Sequence, residues 1–301
     1  MSAQPSIAIA PHRFAYGFYR QTWWNWLIGS AFFFGEIGAG LFLVSLLSDY
    51  FPGMVLGYLI VMVGKNTAHL LYLGRPSRFW RAALRPDRSW IARGIWATGI
   101  FGITGAILLA ARFFFAWQPA GLPGTALQWL AGLSALFIMF YDGFVMKASR
   151  SIPFWSTSML PVLCLTYAAL GGVTLLLTLR ELSGEGAAAS ALLGEIEYAL
   201  LVINLMLLSL YLARMWDWAP AARETVHMLL RGRYARVFLG LVLAVGLIAT
   251  LLLAIVHTRV HATWLVVLIA TCELTGDFAL LMVLLKSGLF SPQTAPAQQT
   301  G

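Results

Sequence analysis

The sequence predicts an all-α membrane protein with eight transmembrane helices, organised as two four-helix bundles. Three observations lead there. Hydrophobic residues fill 60% of 301 positions and charged residues only 11%. A soluble domain carries about 25% charged residues, so too few polar groups remain to cover a water-soluble globule, and the mean hydropathy of +0.79 agrees. The apolar residues also fall into eight runs, each near the roughly 20 residues that a span requires. Finally, Leu71-Tyr72-Leu73-Gly74-Arg75 and Leu210-Tyr211-Leu212-Ala213-Arg214 close two runs on the same face, four runs apart. That recurrence hints at two halves in parallel orientation.

The runs cover residues 23–47, 53–73, 91–115, 125–146, 155–179, 195–215, 234–256 and 263–286. In hydrocarbon the backbone must satisfy its own polar groups, so each run is a helix. They are too long for barrel strands of about ten alternating residues. Residues 1–22 form an N-terminal tail, 23–287 the membrane domain and 288–301 a polar, Pro/Gln-rich C-terminal tail expected to be disordered. The first 20 residues lack an apolar signal core and an early basic run, so no cleaved signal peptide is expected.

Orientation follows from lysine and arginine. Of the 20 basic residues, sixteen fall on the face that receives both termini and the loops after spans two, four and six. Arg112, Arg180 and Arg259 fall on the other face, and Lys65 lies within span two. This asymmetry predicts a bacterial inner-membrane protein with both termini in the cytoplasm. The formal charge of +8 therefore describes topology and not nucleic-acid binding. Cys164 and Cys272 lie in apolar runs with no Cys/His cluster, which points to buried small side chains. No disulfide, protein-ligated iron–sulfur cluster or zinc site is expected.

Ionisable residues inside a membrane are costly and become the first functional candidates. Lys65 and His69, four residues apart on one helix face, lie near the end of span two with Asn66. Tyr141 and Asp142 lie near the end of span four, at a similar depth below the basic face. Glu36, Glu273 and Asp277 sit deeper and outline a proton path. Asn204 and Asp277 also suit a plainer role as polar glue between helices. A quinone carries two carbonyl oxygens and an apolar tail, and its reduction takes two electrons and two protons. Histidine, tyrosine and lysine supply donors for the oxygens, and a carboxylate relays protons. The rival cofactor, haem b, needs two histidines at matching depth. His69 is the one histidine inside a span on the basic side; His257 and His261 flank the opposite loop, and His12 and His227 lie outside the spans. No haem is expected.

Several strings carry a family likeness. They are Gly35-Glu-Ile-Gly-Ala-Gly40, Leu73-Gly-Arg-Pro-Ser-Arg-Phe-Trp-Arg81, Ser89-Trp-Ile-Ala-Arg-Gly94, Tyr141-Asp-Gly143, and Ser151-Ile-Pro-Phe-Trp155 followed by Pro161. Together they resemble the NrfD/PsrC family, the membrane subunits of polysulfide reductase and related molybdenum or tungsten enzymes. The likeness covers roughly residues 23–180 well and is weaker beyond. It implies eight helices in two four-helix bundles, no haem, and a quinone site (menaquinone or ubiquinone) near the face that docks an iron–sulfur subunit. Iron–sulfur clusters and molybdopterin would reside only on the partners: a ferredoxin-like subunit and a molybdopterin catalytic subunit. Relatives of the dimethyl sulfoxide reductase type carry a histidine directly before Leu-Gly-x-Pro. Here Tyr72 precedes Leu73, and His69 lies one turn earlier in its place. The resemblance also carries the quinone role onto Arg78, Tyr141 and Asn25.

Arg75, Arg78, Arg81, Arg85 and Arg88 form a stripe with Phe79, Trp80 and Trp90 between them. Lipid headgroups explain part of it, and Arg75, Arg81, Arg85 and Arg88 add a docking surface for an acidic iron–sulfur subunit. A cytoplasmic docking face favours a cytoplasmic substrate such as phenylacetyl-CoA or sulfite, oxidised with reduction of quinone. Two alternatives are an anchor for a sulfur-compound reductase that oxidises quinol, and a proton- or solute-coupled transporter. Paired broken helices would mark a transporter, and only span five, with Pro161 and Gly171-Gly172, looks interrupted.

Overall fold

The computed structural model describes residues 18–115, 121–184, 187–260 and 262–291. Most of the N-terminal tail, His261 and the C-terminal tail beyond Ser291 lie outside the described residues. Among the described residues, eight helices are long and apolar enough to cross a membrane. They are the first span (Trp26–Leu47), second (Phe51–Tyr72), third (Trp90–Phe115), fourth (Gly121–Lys147), fifth (Met159–Leu182), sixth (Ala187–Trp218), seventh (Arg236–Val260) and eighth (Thr263–Lys286). The all-α membrane architecture is as the sequence predicts.

The first and fifth spans form the centre. The first packs on the second, fourth, fifth and eighth, and the fifth on the first, fourth, sixth and eighth. The third closes against the fourth, and the seventh against the eighth. Spans one to four and five to eight thus make two like-arranged halves joined through their leading helices. Close approach at the seam needs glycine. A Cβ on Gly172 of the fifth span would lie 2.7 Å from the carbonyl oxygen of Gly40 on the first. Small residues at such crossings let backbones touch where lipid offers no hydrophobic drive to associate.

Three features depart from the sequence reading. The sixth span begins at Ala187 and not near 195, because its alanine-rich opening is weakly apolar although strongly helix-forming. The fifth span is a continuous helix: Pro161 stands in its first turn, where a missing N–H costs nothing. The irregular segments are instead in the second span, π-helical over Ile60–Lys65, and the seventh, π-helical over Arg236–Ala249. The C-terminal tail does not start at 288. Strand β2 (Leu289–Phe290) pairs antiparallel with β1 (Tyr19–Arg20), and Leu289 is buried. Leu289 and Phe290 are apolar enough to be held down by the bundle.

That ribbon belongs to a plug over the basic end of the second half. Gln21 donates to the carbonyl of Leu285 at 2.6 Å, and the Trp155 indole donates to that of Leu284 at 2.9 Å. Trp24 stacks on Trp155, with centroids 4.9 Å apart. The Tyr211 hydroxyl donates to the Phe154 carbonyl at 2.5 Å. A short helix, Pro220–Leu230, buries Ala221, Ala222, Thr225, Val226 and Leu229, the one-sided spacing of an amphipathic helix. On the same face, the 3-10 helix Pro76–Ala83 buries no residue.

Candidate functional site

The π-helical turn of the second span ends on Lys65, which is only 2% exposed. Such turns often mark functional positions, because the wider coil re-aims a side chain. Lys65 Nζ donates to the Tyr141 hydroxyl at 2.7 Å and lies 4.3 Å from the ring centroid. Two glycines from the family strings make room for this pair. A Cβ on Gly35 would stand 3.0 Å from Lys65 Nζ, and one on Gly94 would stand 2.6 Å from Cδ2 of Tyr141. The Phe32 ring faces both His69 (6.3 Å) and Tyr141 (6.4 Å), and Trp24 meets Phe32 edge-on at 5.9 Å. Phe137 stacks parallel to Tyr141 at 6.4 Å. The pair thus sits inside an aromatic wall.

His69 is half-buried, and its Nδ1 lies 3.2 Å from the Lys65 carbonyl. A carbonyl only accepts, so the neutral ring carries its proton on Nδ1 and leaves Nε2 as an acceptor. Asp142 is fully buried, and neither carboxyl oxygen has a protein hydrogen-bond partner. Lys65 interacts electrostatically with it and with Glu36. Lys65, His69, Tyr141 and Asp142 are therefore brought together. They stand below the basic end of the bundle: Tyr141 six residues before Lys147, about 9 Å at 1.5 Å per residue, and Lys65 seven before Tyr72, about 10 Å.

Three further residues from the sequence reading sit higher. Asn25 is exposed and caps the first span, its side chain accepting from the Leu27 N–H at 2.9 Å. The Tyr72 hydroxyl donates to the Trp23 carbonyl at 3.1 Å. Arg78 projects from the exposed 3-10 helix. Around it, Arg75, Arg81, Arg85 and Arg88 are all exposed, with Phe79 and Trp80 about half exposed. Arg88 pairs with Asp87 at 3.2 Å.

Deeper in the bundle the acidic residues line up. Glu36 and Asp277 share a cavity of about 10 Å3 with Cys164 and Tyr167, room for roughly one water molecule. Glu36 Oε1, both Asp277 carboxyl oxygens and the Tyr167 hydroxyl have no protein partner. Glu273 follows one turn along the eighth span. Thr174 of the fifth span contacts both Glu273 and Glu197 of the sixth. Among the described residues, five carboxyl groups (Glu36, Asp142, Glu197, Glu273 and Asp277) are buried, against two buried basic side chains, Lys65 and Arg180. Arg180 is engaged toward the far face by the Ser48 carbonyl and the Tyr50 ring. Ionising all five would leave uncompensated charge in a low-dielectric interior, so some are held as neutral acids.

Asn204 does serve as glue: Thr166 donates to its oxygen at 2.5 Å, and its amide returns a bond to the Thr166 carbonyl at 3.3 Å. Both cysteines are free. Four members of this buried polar group escaped the sequence reading: Glu197 and Thr174, which meet Glu273, and Tyr167 and Cys164, which line the cavity. Glu197 was legible by the rule that flagged the others, but it lay at the edge of a run drawn too short. The remaining three look like ordinary span residues.

Fold and cluster together define a polytopic helical membrane protein with a buried group of ionisable side chains beneath an arginine-rich rim. The family model for NrfD, polysulphide reductase, matches residues 16–292. The chain belongs to the NrfD polysulphide reductase family, and the match extends across both halves. No curated protein matches it.

Proposed function

We propose that this chain is the membrane anchor and quinone-reactive subunit of a multi-subunit molybdenum or tungsten iron–sulfur oxidoreductase. It exchanges electrons between the quinone pool and an iron–sulfur subunit. One observation carries the reading: the buried Lys65–Tyr141 hydrogen bond, flanked by His69 and Asp142, stands about two turns beneath an exposed arginine loop. Membership of the NrfD family supports it.

The residues fit a quinone headgroup. The Tyr141 oxygen accepts from Lys65, so its own proton is available for a carbonyl oxygen. Lys65 keeps two further N–H donors. Nε2 of His69 accepts from a hydroxyl. When bound, the quinone supplies a couple of two electrons and two protons. Tyr141 and His69 orient the two oxygens, Lys65 holds the Tyr141 phenol in place, and Asp142 stores a proton next to it. Trp24, Phe32 and Phe137 keep the cluster dry, which strengthens each polar contact.

The arginine loop is read as the seat of an acidic, ferredoxin-like iron–sulfur subunit, with the molybdopterin subunit beyond it. No residue of the 3-10 helix is buried in this chain alone, so Arg78, Phe79, Trp80 and Arg81 are available to a partner. The excess of basic residues on this face supports a cytoplasmic placement. On that placement the substrate is cytoplasmic, and we read the net direction as substrate oxidation with quinone reduction.

The test uses the complex purified with its partners. We expect bound quinone in the wild type. In His69→Ala and Tyr141→Phe we expect intact assembly with quinone-linked turnover lowered about 100-fold, in the range of lost proton-transfer groups. Normal turnover in both assembled variants, or a wild-type complex lacking an iron–sulfur partner, would overturn the proposal.

A further inference from the structure

We infer that Glu197, Thr174 and Glu273 form a proton relay that joins the quinone-reactive cluster to the membrane face opposite the arginine loop. The inference rests on the proposed redox role of that cluster. The Thr174 hydroxyl lies 2.7 Å from Oε1 of Glu197 and also contacts Oε2 of Glu273. All three side chains are buried, at 6%, 1% and 0% exposure for Glu197, Thr174 and Glu273. A hydroxyl owns one hydrogen and can donate only once. Two carboxyl oxygens at bonding distance from one hydroxyl therefore require one carboxyl group to be the donor. That group is a neutral acid, and its partner receives the Thr174 hydrogen.

This is the geometry of a two-proton hop. The O–H bond of the acid breaks as its proton joins Thr174 Oγ1. The original Thr174 O–H breaks as its proton joins the opposite carboxylate. One proton has moved from one glutamate to the other, the hydroxyl is regenerated, and nothing is oxidised or reduced. On the inner side the route continues from Glu273 to Asp277 one helical turn away, then across the shared cavity to Glu36. Glu36 lies within electrostatic reach of Asp142 and Lys65. The unpartnered oxygens of Asp277, Glu36 and Tyr167 around that cavity supply landing points for a proton in transit.

Depth gives the route its consequence. Asp277 lies nine residues before the basic end of its helix and Glu273 thirteen, about 14 and 20 Å below that face. Glu197 is ten residues from the opposite end of the sixth span, about 15 Å. The relay thus reaches from the cluster beside the arginine loop into the opposite half of the membrane, and protons that enter it at Glu197 from the far side make turnover charge the membrane.

The experiment places the purified complex in sealed liposomes and follows quinone-linked turnover together with a voltage-sensitive dye. Thr174→Val keeps the shape and removes the relaying hydroxyl; Thr174→Ser keeps the hydroxyl. We expect Val to lower turnover at least about tenfold and to abolish the membrane potential, and Ser to retain both. Infrared difference spectra should show the carbonyl stretch of a protonated carboxyl group, shifted in Thr174→Val and lost in Glu197→Gln or Glu273→Gln. An assembled Val variant with wild-type turnover and potential, or the absence of that carboxyl band, would overturn the relay. A wild-type complex with no quinone turnover would instead remove the redox reading on which it rests.

Discussion

Lys65 is a cation held almost without exposure, and its neighbours explain how. Tyr141 takes one of its hydrogen bonds, the tyrosine ring offers its face, and Asp142 and Glu36 supply opposite charge. Gly35 and Gly94 set the width of the slot. Gly94→Ala would drive a methyl group into the Tyr141 ring. Overpacking of this kind costs about 1–3 kcal/mol. We expect a lower melting temperature in detergent and a loss of quinone turnover close to that of Tyr141→Phe. Unchanged turnover would show that the ring position is not critical. Gly35 and Gly94, which in sequence stand only as members of two family strings, are thus the walls of the slot.

At the scale of elements, the second span shows why periodicity alone misplaced the irregular helices. Pro and Gly in the fifth span suggested a break, yet Pro161 falls in a first turn and Gly172 serves the seam with Gly40. The π-helical segments carry no Pro, and nothing in Ile60–Lys65 announces one. The plug is a second element-level feature. Trp155 bonds to Leu284, stacks on Trp24 and is fully buried. Trp155→Ala removes a large buried side chain, a change worth about 3–5 kcal/mol. It should lower the thermal midpoint and expose the segment around Leu289 to protease, while leaving all eight spans inserted. A midpoint equal to wild type would show that the plug adds no stability.

At the scale of the whole molecule, the charge distribution carries the expected topology and the proposed docking. Ser77 lies in the arginine loop, and Ser183 is exposed beyond the far end of the fifth span. Single Ser77→Cys and Ser183→Cys variants should react with an impermeant thiol reagent from opposite sides, Ser77→Cys from the cytoplasm. Cys164 and Cys272 lie within spans and should not react. Labelling of Ser77→Cys from outside intact cells would reverse the orientation. Replacing Arg75, Arg78, Arg81 and Arg85 with Gln should leave insertion intact and make retention of the iron–sulfur subunit more salt-sensitive, read by co-purification across an ionic-strength series. Equal retention would assign the stripe to lipid headgroups.

Sequence alone determined the solvent, the number of spans and the family. A run of apolar residues has a single way to satisfy its backbone in lipid, and buried charges stand out against such a background. It also brought Lys65, His69, Tyr141 and Asp142 to a common depth by counting residues from the span ends. Only the tertiary structure decided which polar groups touch. The Lys65–Tyr141 bond spans 76 residues of chain and the Thr174–Glu273 contact 99, and neither leaves a local pattern. A threonine between two glutamates acquires its chemistry from the packing of three helices, and helix packing is set by the shapes of whole faces rather than by any short string of residues.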